Sequence, residues 1–225
     1  MKRLVLSTAA LALVIGLISN AALATPIPVF DVTASSYYPD GGVALPERTT
    51  DGSGLIGTFP NQTHDTDWTH MWLTANGDVA NAYIQFDLGA AYNLASAHIW
   101  NYNQYTPIPD SFFDGTNRGV QQVDILISLD SVNWTTVLED SSFPRTPSPP
   151  SSNYGGFDLD FSGTLARYVR FDIDSNYGSD PIIGSNYVGL SEVQFMPAAV
   201  PEPATMLLLG SGLIGLAGFA RRLKK

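Results

Sequence analysis

Residues 82–89 read AYIQFDLG, and their apolar side chains alternate with polar ones. Ile84, Phe86 and Leu88 fall on one face of an extended chain, and the polar residues between them fall on the other. A period of two is typical of a strand with one buried and one solvated face. The same alternation recurs in three later segments, VDILISLD (123–130), RYVRFDID (167–174) and VGLSEVQF (188–195).

These segments predict a protein built from strands alone. Clusters of Gly, Asn, Asp and Pro separate them, and no stretch between residues 25 and 200 has the spacing of an amphipathic helix. In the second segment, the alternation predicts one buried face made of Val123, Ile125, Ile127 and Leu129. Short alternating strands divided by turn residues are typical of an antiparallel sandwich or barrel. We therefore expect an all-β antiparallel sandwich that reaches ligands through loops at one end.

The N-terminus has the layout of a secretory signal peptide. Two basic residues are followed by an apolar run and then by Ala22-Leu23-Ala24, a small-residue pattern that signal peptidases cut. Residues 1–24 are thus predicted to be removed on export, with Ala22 and Ala24 marking the cleavage site. A retained N-terminal membrane anchor is the alternative.

The C-terminus carries a second apolar segment. Residues 204–220 contain no charge, and the tail at 221–225 is basic. As a helix, this segment would be about 25 Å long, which predicts a short transmembrane helix. The basic tail would stay in the cytoplasm and leave the rest of the chain outside. A plain single-pass anchor would have the same features.

The order of elements within residues 198–225 is more specific. Pro201, Glu202 and Pro203 precede the glycine-bearing apolar segment and the basic tail. This order resembles the PEP-CTERM sorting signal of Gram-negative bacteria. The resemblance implies that a membrane protease, exosortase, recognises the Pro-Glu-Pro motif and removes the tail. The protein would be anchored in the membrane transiently, and would then reach the cell surface or the extracellular matrix.

The composition of the remaining domain, residues 25–197, excludes several functions. Residues 25–200 hold five arginines, no lysine and twenty acidic residues, so their formal charge is 5 − 20 = −15. Such a surface repels phosphate backbones, which excludes nucleic acid as a partner. The chain has no cysteine, so thiol catalysis and thiolate metal sites are excluded too. Its stability must come from burial or from bound ions.

Four motifs in order resemble a known family. They are IQFDLG, RGVQQVDILISLDSVNWTTV, ARYVRFDI and GLSEVQF, within residues 31–196. The order is similar to that of the discoidin domain, also called the coagulation factor 5/8 type C domain. The resemblance implies a galactose-binding-like jelly roll. Many bacterial members of that family are carbohydrate-binding modules.

The family resemblance extends to a possible calcium site. Thr66 to Trp72 matches a T-x-W-x-x-x-W segment, and Asp51-Gly52 supplies the turn that precedes it in bacterial members. The resemblance implies structural calcium held by Asp51, Ser53, Thr66 and Glu192. Calcium accepts carboxylate, carbonyl and hydroxyl oxygens alike. However, Asp51 and Thr66 stand fifteen residues apart, farther than in the family. Either the loop has lost the ion, or Asp65 and Asp67 add oxygens.

The stretch HDTDWTHMW, residues 64–72, also raises the possibility of zinc. His64 and His70, with Asp65 or Asp67, would provide two imidazoles and a carboxylate. Their spacing differs from the i, i+4 arrangement of a zinc-binding helix. Solvated loop histidines are the alternative, and the one that the spacing favours.

Ligand-binding residues are expected in the same segment and in the loop NYNQYTPIPDSFFDGTNRG, residues 101–119. Sugar recognition requires an aromatic surface for the C–H face of the ring, together with polar groups for its hydroxyls. We expect Trp72 or Phe112 to stack, and His70, Asn103 and Arg118 to form hydrogen bonds. The alternative is that Trp72 belongs to the core and that Arg118 pairs with Asp114.

The sequence thus predicts an exported, non-catalytic protein that binds a polysaccharide or another glycan. One alternative is an adhesive matrix protein that binds protein partners through the same loops. Another is a glycoside hydrolase, which would need two acids about 5–10 Å apart in a cleft. No recognisable catalytic signature accompanies the many acidic residues.

Overall fold

The strands predicted from alternation form the centre of the fold. The computed structural model describes residues 24–178 and 186–199. Within those ranges there is no α-helix, and three short 3-10 helices lie at 46–49, 68–70 and 116–118. The strands are β1 (Asp31–Ala34), β2 (Leu55–Ile56), β3 (Thr63–His64), β4 (Trp72–Leu73), β5 (Ala82–Asn101), β6 (Tyr105–Ile108), β7 (Ser111–Asp114), β8 (Val120–Ser128), β9 (Thr135–Ser142), β10 (Phe157–Asn176) and β11 (Gly189–Pro197).

Two long strands, β5 and β10, belong to both layers of a sandwich. The first layer has the order β1, the first part of β5, the last part of β10, β8 and β9. The second has the order β4, β11, the last part of β5 and the first part of β10. All these pairs are antiparallel. The predicted all-β antiparallel sandwich is confirmed.

The long strands pass between the layers through register shifts. Asp87 lies opposite Tyr168, but the next pair along the two strands is Tyr92 with Ala166. A further shift falls between Asp160 and Thr164. We call this end of the sandwich the corner end; it is formed by residues 88–93 and 160–166, with the residues that precede β1 and the β8–β9 connection (129–134) beside them. The opposite end, where β5 begins and finishes and where the segment 101–119 lies, is the loop end.

The core lies between the two layers. Ile84, Phe86 and Leu88 are buried, as their alternation predicts. The ring of Phe86 lies 5.4 Å from that of Phe171 in its own layer and 5.2 Å from that of Phe195 in the other. Both pairs meet edge to face, which is a favourable geometry for aromatic rings. Phe86 therefore ties the two layers together.

One predicted core residue is wrong. The prediction placed Leu129 on the buried face with Val123, Ile125 and Ile127, but its side chain is 55% exposed, whereas those three are buried. The cause is that β8 ends at Ser128, where a turn begins. The Asp130 carboxylate accepts hydrogen bonds from the backbone N–H groups of Val132 and Asn133. A period of two predicts burial only within a strand, and Leu129 lies one residue beyond the end of β8, where its side chain is exposed.

One ion pair of the sheet surface, between Arg167 and Asp87, lies near the corner end. Arg167 donates two hydrogen bonds of 2.9 Å to the two carboxylate oxygens of Asp87. This pairing is the main reason that the pKa of Asp87 is lowered. Asp87 also accepts a 2.7 Å bond from the backbone N–H of Gly89, whose φ of +74° favours glycine.

The predictions for the two ends of the chain lie largely outside the described residues. These are the signal peptide at 1–24, of which only Ala24 is described, and the sorting segment from Val200 onward. Within the described ranges, no helix is long and apolar enough to cross a membrane.

We expect Phe86→Ala to lower the free energy of unfolding of residues 25–199 by about 3–5 kcal/mol, because it leaves a cavity between the layers. Phe30→Ala is the matched control, since the Phe30 side chain is 77% exposed. The control should change the free energy by less than about 0.5 kcal/mol. Urea denaturation measures both, and equal losses would contradict the assigned role of Phe86.

Candidate functional site

A small cleft lies at the loop end, where residues far apart in sequence meet. It has a volume of about 160 Å³ and is lined by Tyr38, Asp40, Trp68, Leu73, Gln104, Arg118 and Tyr187. The ring of Tyr38 meets that of Trp68 edge to face at 6.1 Å, and that of Tyr187 at 5.7 Å. The cleft therefore combines aromatic walls with an amide, a carboxylate and a guanidinium group.

Arg118 is held rigidly in this cleft. Its guanidinium carbon lies 4.8 Å from the ring centre of Phe113 and 5.0 Å from that of Tyr187. One Nη1–H donates a 3.0 Å hydrogen bond to Oε1 of Gln104. That oxygen also accepts from the hydroxyl of Tyr102, whose pKa burial raises to about 12. A planar cation fixed between two rings is a preorganised hydrogen-bond donor.

The alternative for Arg118, an ion pair with Asp114, is not what the structure shows. Among the described residues, the cation that pairs with Asp114 is Arg145, at 3.9 Å. Asp114 instead accepts hydrogen bonds from the hydroxyls of Thr116 and Ser148. The guanidinium of Arg118 is thus directed to Gln104 and to the aromatic rings.

Trp72, predicted as a stacking residue, is wrong. Its side chain is fully buried, and β4 places it opposite Leu190 of β11. Its indole Nε1–H donates a 3.0 Å hydrogen bond to the carbonyl of Ser36. A ring enclosed in this way has no face to offer a ligand. The alternative, that Trp72 belongs to the core, describes it correctly.

Asn103, predicted to form a hydrogen bond with a ligand, is positioned by contacts within the protein, and its role in binding stays a prediction. The side chain is fully buried, and its amide nitrogen donates to the carbonyls of His64, Asp65 and Ser151. It fastens two loops to the end of β5. Its effect on a ligand would be indirect, through the position of those loops.

Phe112 and His70 are accessible but do not line the cleft. Phe112 is 42% exposed and stacks on Tyr105 with 5.4 Å between ring centres. The hairpin of β6 and β7 directs Phe113, not Phe112, toward Arg118. Nδ1 of His70 lies 2.8 Å from a carboxylate oxygen of Asp65. Both residues border the loop end, and their roles in binding stay predictions.

The cleft also contains residues that were not predicted. Tyr38, Trp68 and Tyr187 form its aromatic walls. A signal was present for Trp68, because polar residues surround it, whereas Trp72 stands in the apolar run Met71-Trp72-Leu73. Tyr38 and Tyr187 carry no such signal, since only the folded chain brings them together.

A second, larger cavity of about 390 Å³ lies beside the predicted metal ligands, with Asp51, Gly52 and Glu192 in its lining. The backbone N–H of Gly52 donates a 3.2 Å hydrogen bond to Oε1 of Glu192. Oδ1 of Asp51 accepts from the backbone N–H of Ser53 at 2.8 Å. The fold thus brings together three of the four predicted calcium ligands, Asp51, Ser53 and Glu192.

Oxygens in this group lack protein partners. Oε2 of Glu192 and Oγ of Ser53 are both buried, and neither has a hydrogen-bond partner among the described residues. Burial, with a further contribution from the Asp51 carboxylate, raises the pKa of Glu192 to about 9. Burial disfavours the charged carboxylate, so this group is neutralised either by a proton or by a bound cation. The chemistry of these oxygens fits calcium.

The fourth predicted calcium ligand, Thr66, is held in place by a backbone hydrogen bond. Its carbonyl accepts a 3.1 Å hydrogen bond from the backbone N–H of Tyr105. In addition, Oδ2 of Asp51 lies 3.0 Å from Nη1 of Arg48. The long insertion between Asp51 and Thr66 accommodates β2 and β3.

The zinc alternative is not supported by the arrangement of residues 64–72. His64 is fully buried, and its Nδ1 lies 3.0 Å from the backbone carbonyl of Asp65. Burial is also the main reason that its pKa is lowered. Over residues 24–178 and 186–199, only Asp124, Asp140 and Asp174 form a group of three or more His, Asp or Glu side chains close enough to share an ion.

Comparisons with solved structures identify the same fold in carbohydrate-binding modules. One is CpGH89CBM32-5 from Clostridium perfringens, solved in complex with GalNAc-beta-1,3-galactose (TM-score 0.51, 16% identity, covering 76% of this chain and 99% of that one). Another is CBM32-3 from a family 31 glycoside hydrolase of the same organism (0.53, 20%, 76% and 92%). A third is a variant of chitosan-binding module 1 from a Paenibacillus chitosanase/glucanase (0.50, 20%, 77% and 98%).

Family profiles give a consistent result. The comparison with curated proteins gave no match. The profile of the PEP-CTERM protein-sorting motif matches residues 199–224, as the Pro-Glu-Pro motif predicts. The profile of the F5/8 type C domain matches residues 31–185, well over half of the chain. The resemblance seen in the sequence is confirmed, and the chain belongs to the F5/8 type C, or discoidin, domain family.

Proposed function

We propose that this protein is an exported, non-catalytic module that binds a glycan in the loop-end cleft. The observation that carries the proposal is the position of Arg118, fixed between Phe113 and Tyr187 beside Trp68 and Tyr38. Aromatic rings provide the apolar surface that the C–H face of a sugar requires. The guanidinium of Arg118, the amide of Gln104 and the carboxylate of Asp40 provide donors and acceptors for hydroxyl groups.

The charge of the domain narrows the class of glycan. Residues 25–200 carry a formal charge of −15, which repels polyanions over distances of about a Debye length. Asp40 and Arg118 are the two charged residues that line the cleft in the described part of the chain, so its formal charge is balanced. A neutral polysaccharide of the envelope or the extracellular matrix is therefore the favoured ligand.

The cleft does not favour hydrolysis. Asp40 is the single carboxylate among the described residues that line it, whereas glycoside hydrolases ordinarily use a pair. A binding role is also consistent with the sorting tail. The tail would anchor the module in the membrane until exosortase removes it, and the module would then reach the cell surface or the matrix. An adhesive protein that binds protein partners through the same loops is the alternative, and competition by simple sugars separates the two.

We also propose a structural calcium ion at Asp51, Ser53 and Glu192. When bound, it would neutralise the buried Glu192 carboxylate and join the loop after Thr50 to β11. Support comes from the unpartnered Oε2 of Glu192 and Oγ of Ser53. In a chain without cysteine, an ion would take the place of a covalent connection between these segments.

For the glycan site, we expect Trp68→Ala to weaken binding at least tenfold, equivalent to about 1.4 kcal/mol, because it removes one wall of the cleft. Isothermal titration calorimetry against a panel of neutral oligosaccharides measures the change. Trp134→Ala is the matched control, since Trp134 is half-buried and lies in the β8–β9 connection at the corner end. If both variants bind like the parent protein, the cleft is not the site; if no glycan binds the parent protein, the adhesive alternative is favoured.

For calcium, we expect saturation at about 100 times the dissociation constant to add about 2.7 kcal/mol to the free energy of unfolding. Glu192→Gln should abolish this gain, because the amide lacks the negative charge and the second ligating oxygen of the carboxylate. Asp174→Asn, in the exposed acidic group away from this site, is the control and should retain it. Thermal melts with calcium and with chelator provide the measurement. A calcium gain that survives Glu192→Gln would place the ion elsewhere.

A further inference from the structure

The corner end carries exposed apolar side chains. Phe30, Leu129, Val132 and Leu165 are 77%, 55%, 75% and 48% exposed, respectively. The strand register places Phe30 and Leu129 at the same end of the sheet, because Asp31, Asp87, Tyr168 and Ser128 lie in register across four adjacent strands. Phe30 and Leu129 each lie one residue beyond this row, toward the corner end. Leu165 lies within the corner end, where it pairs with Asn93 of β5.

The chain leaves the described domain at this same end. Pro197 pairs with Leu94, and the backbone N–H of Ala198 donates a 2.7 Å hydrogen bond to the carbonyl of Asn93. Five residues, Ala199 to Pro203, then precede the uncharged segment that begins at Ala204. Even a fully extended chain spans only about 20 Å from Ala198 to Ala204. When the uncharged segment is in a membrane, the corner end must therefore lie close to the membrane surface.

The charges of the corner end favour apolar contact over attraction to anionic headgroups. The Asp87 carboxylate is paired with Arg167, and that of Asp130 is engaged by backbone N–H groups of its own turn. Two further acids at this end are exposed: Asp160, which accepts a hydrogen bond from the backbone N–H of Ser162, and Asp31. The mature domain has no lysine with which to form a basic patch. Exposed aromatic and aliphatic side chains partition into the interface of a lipid bilayer.

We propose that, while the sorting tail is attached, the corner end rests on the outer surface of the membrane through Phe30, Leu129, Val132 and Leu165. The loop-end cleft then faces away from the membrane, because about eight residues of β5 separate Asn93 from Asn101, a length of about 26 Å. This proposal depends on the sorting tail and on the corner end. It does not depend on what the cleft binds.

The absence of cysteine makes the test direct. The chain with its tail is reconstituted into phosphatidylcholine vesicles, with one cysteine introduced at Val132→Cys and, as the matched control, at Ile108→Cys of the loop end. Ile108 is 48% exposed, so both sites accept an environment-sensitive fluorophore. We expect the label at position 132 to shift to shorter wavelength and to be quenched by nitroxide-bearing lipids, and the label at 108 to show neither change.

Salt provides a further measurement. Because the contact is apolar, quenching at position 132 should persist when the ionic strength is raised. Equal quenching at both positions, or no quenching at 132, would overturn the proposal. A blue-shifted label at 132 without lipid quenching would also overturn it, since a second protein would then cover the corner end. Leu129→Ser in the Val132→Cys chain should reduce the quenching while the far-ultraviolet circular dichroism is unchanged.

Discussion

The structure depends on two twenty-residue strands, β5 and β10, that cross from one layer of the sandwich to the other. Each contributes residues to both faces of the core, so the layers cannot separate without breaking backbone pairing. Phe86 and Phe195 meet across the core at 5.2 Å. With no cysteine in the chain, this shared pairing and the burial of aromatic rings replace covalent bonds. The same crossing gives the molecule two unlike ends, one closed by strands and one formed by loops.

Much of the fold could be predicted from the sequence, because alternation reports burial directly. Ile84 and Phe86, and likewise Val169 and Phe171, are buried as their period of two predicts. The lengths of β5 and β10 could not be predicted. Gly89 and its small neighbours read as a turn that ends a strand, whereas pairing resumes at Tyr92. Pairing of this kind depends on the partner strand, and the partner is distant in sequence.

The candidate site was less predictable for the same physical reason. Arg118 is predictable as a candidate because it stands in a long polar loop at the end of a strand, and it lines the cleft. The prediction that Trp72 stacks on a ligand fails because Trp72 is buried by pairing with Leu190, more than a hundred residues away. That pairing cannot be seen in the local sequence. The walls contributed by Tyr38 and Tyr187 are 149 residues apart in the chain. Residues that form a cleft only through non-local contacts leave no local pattern in the sequence.

The four tryptophans allow the most direct test of glycan binding at the loop end. Trp72 and Trp100 are buried in the core, Trp134 lies at the corner end, and Trp68 lines the cleft. Their indole N–H groups give separate signals in a ¹H–¹⁵N correlation spectrum, which can be followed as a neutral oligosaccharide is added. If the glycan binds in the cleft, the Trp68 signal shifts in a saturable manner while that of Trp134 stays in place. A saturable shift of Trp134 with no change at Trp68 would contradict binding in the cleft.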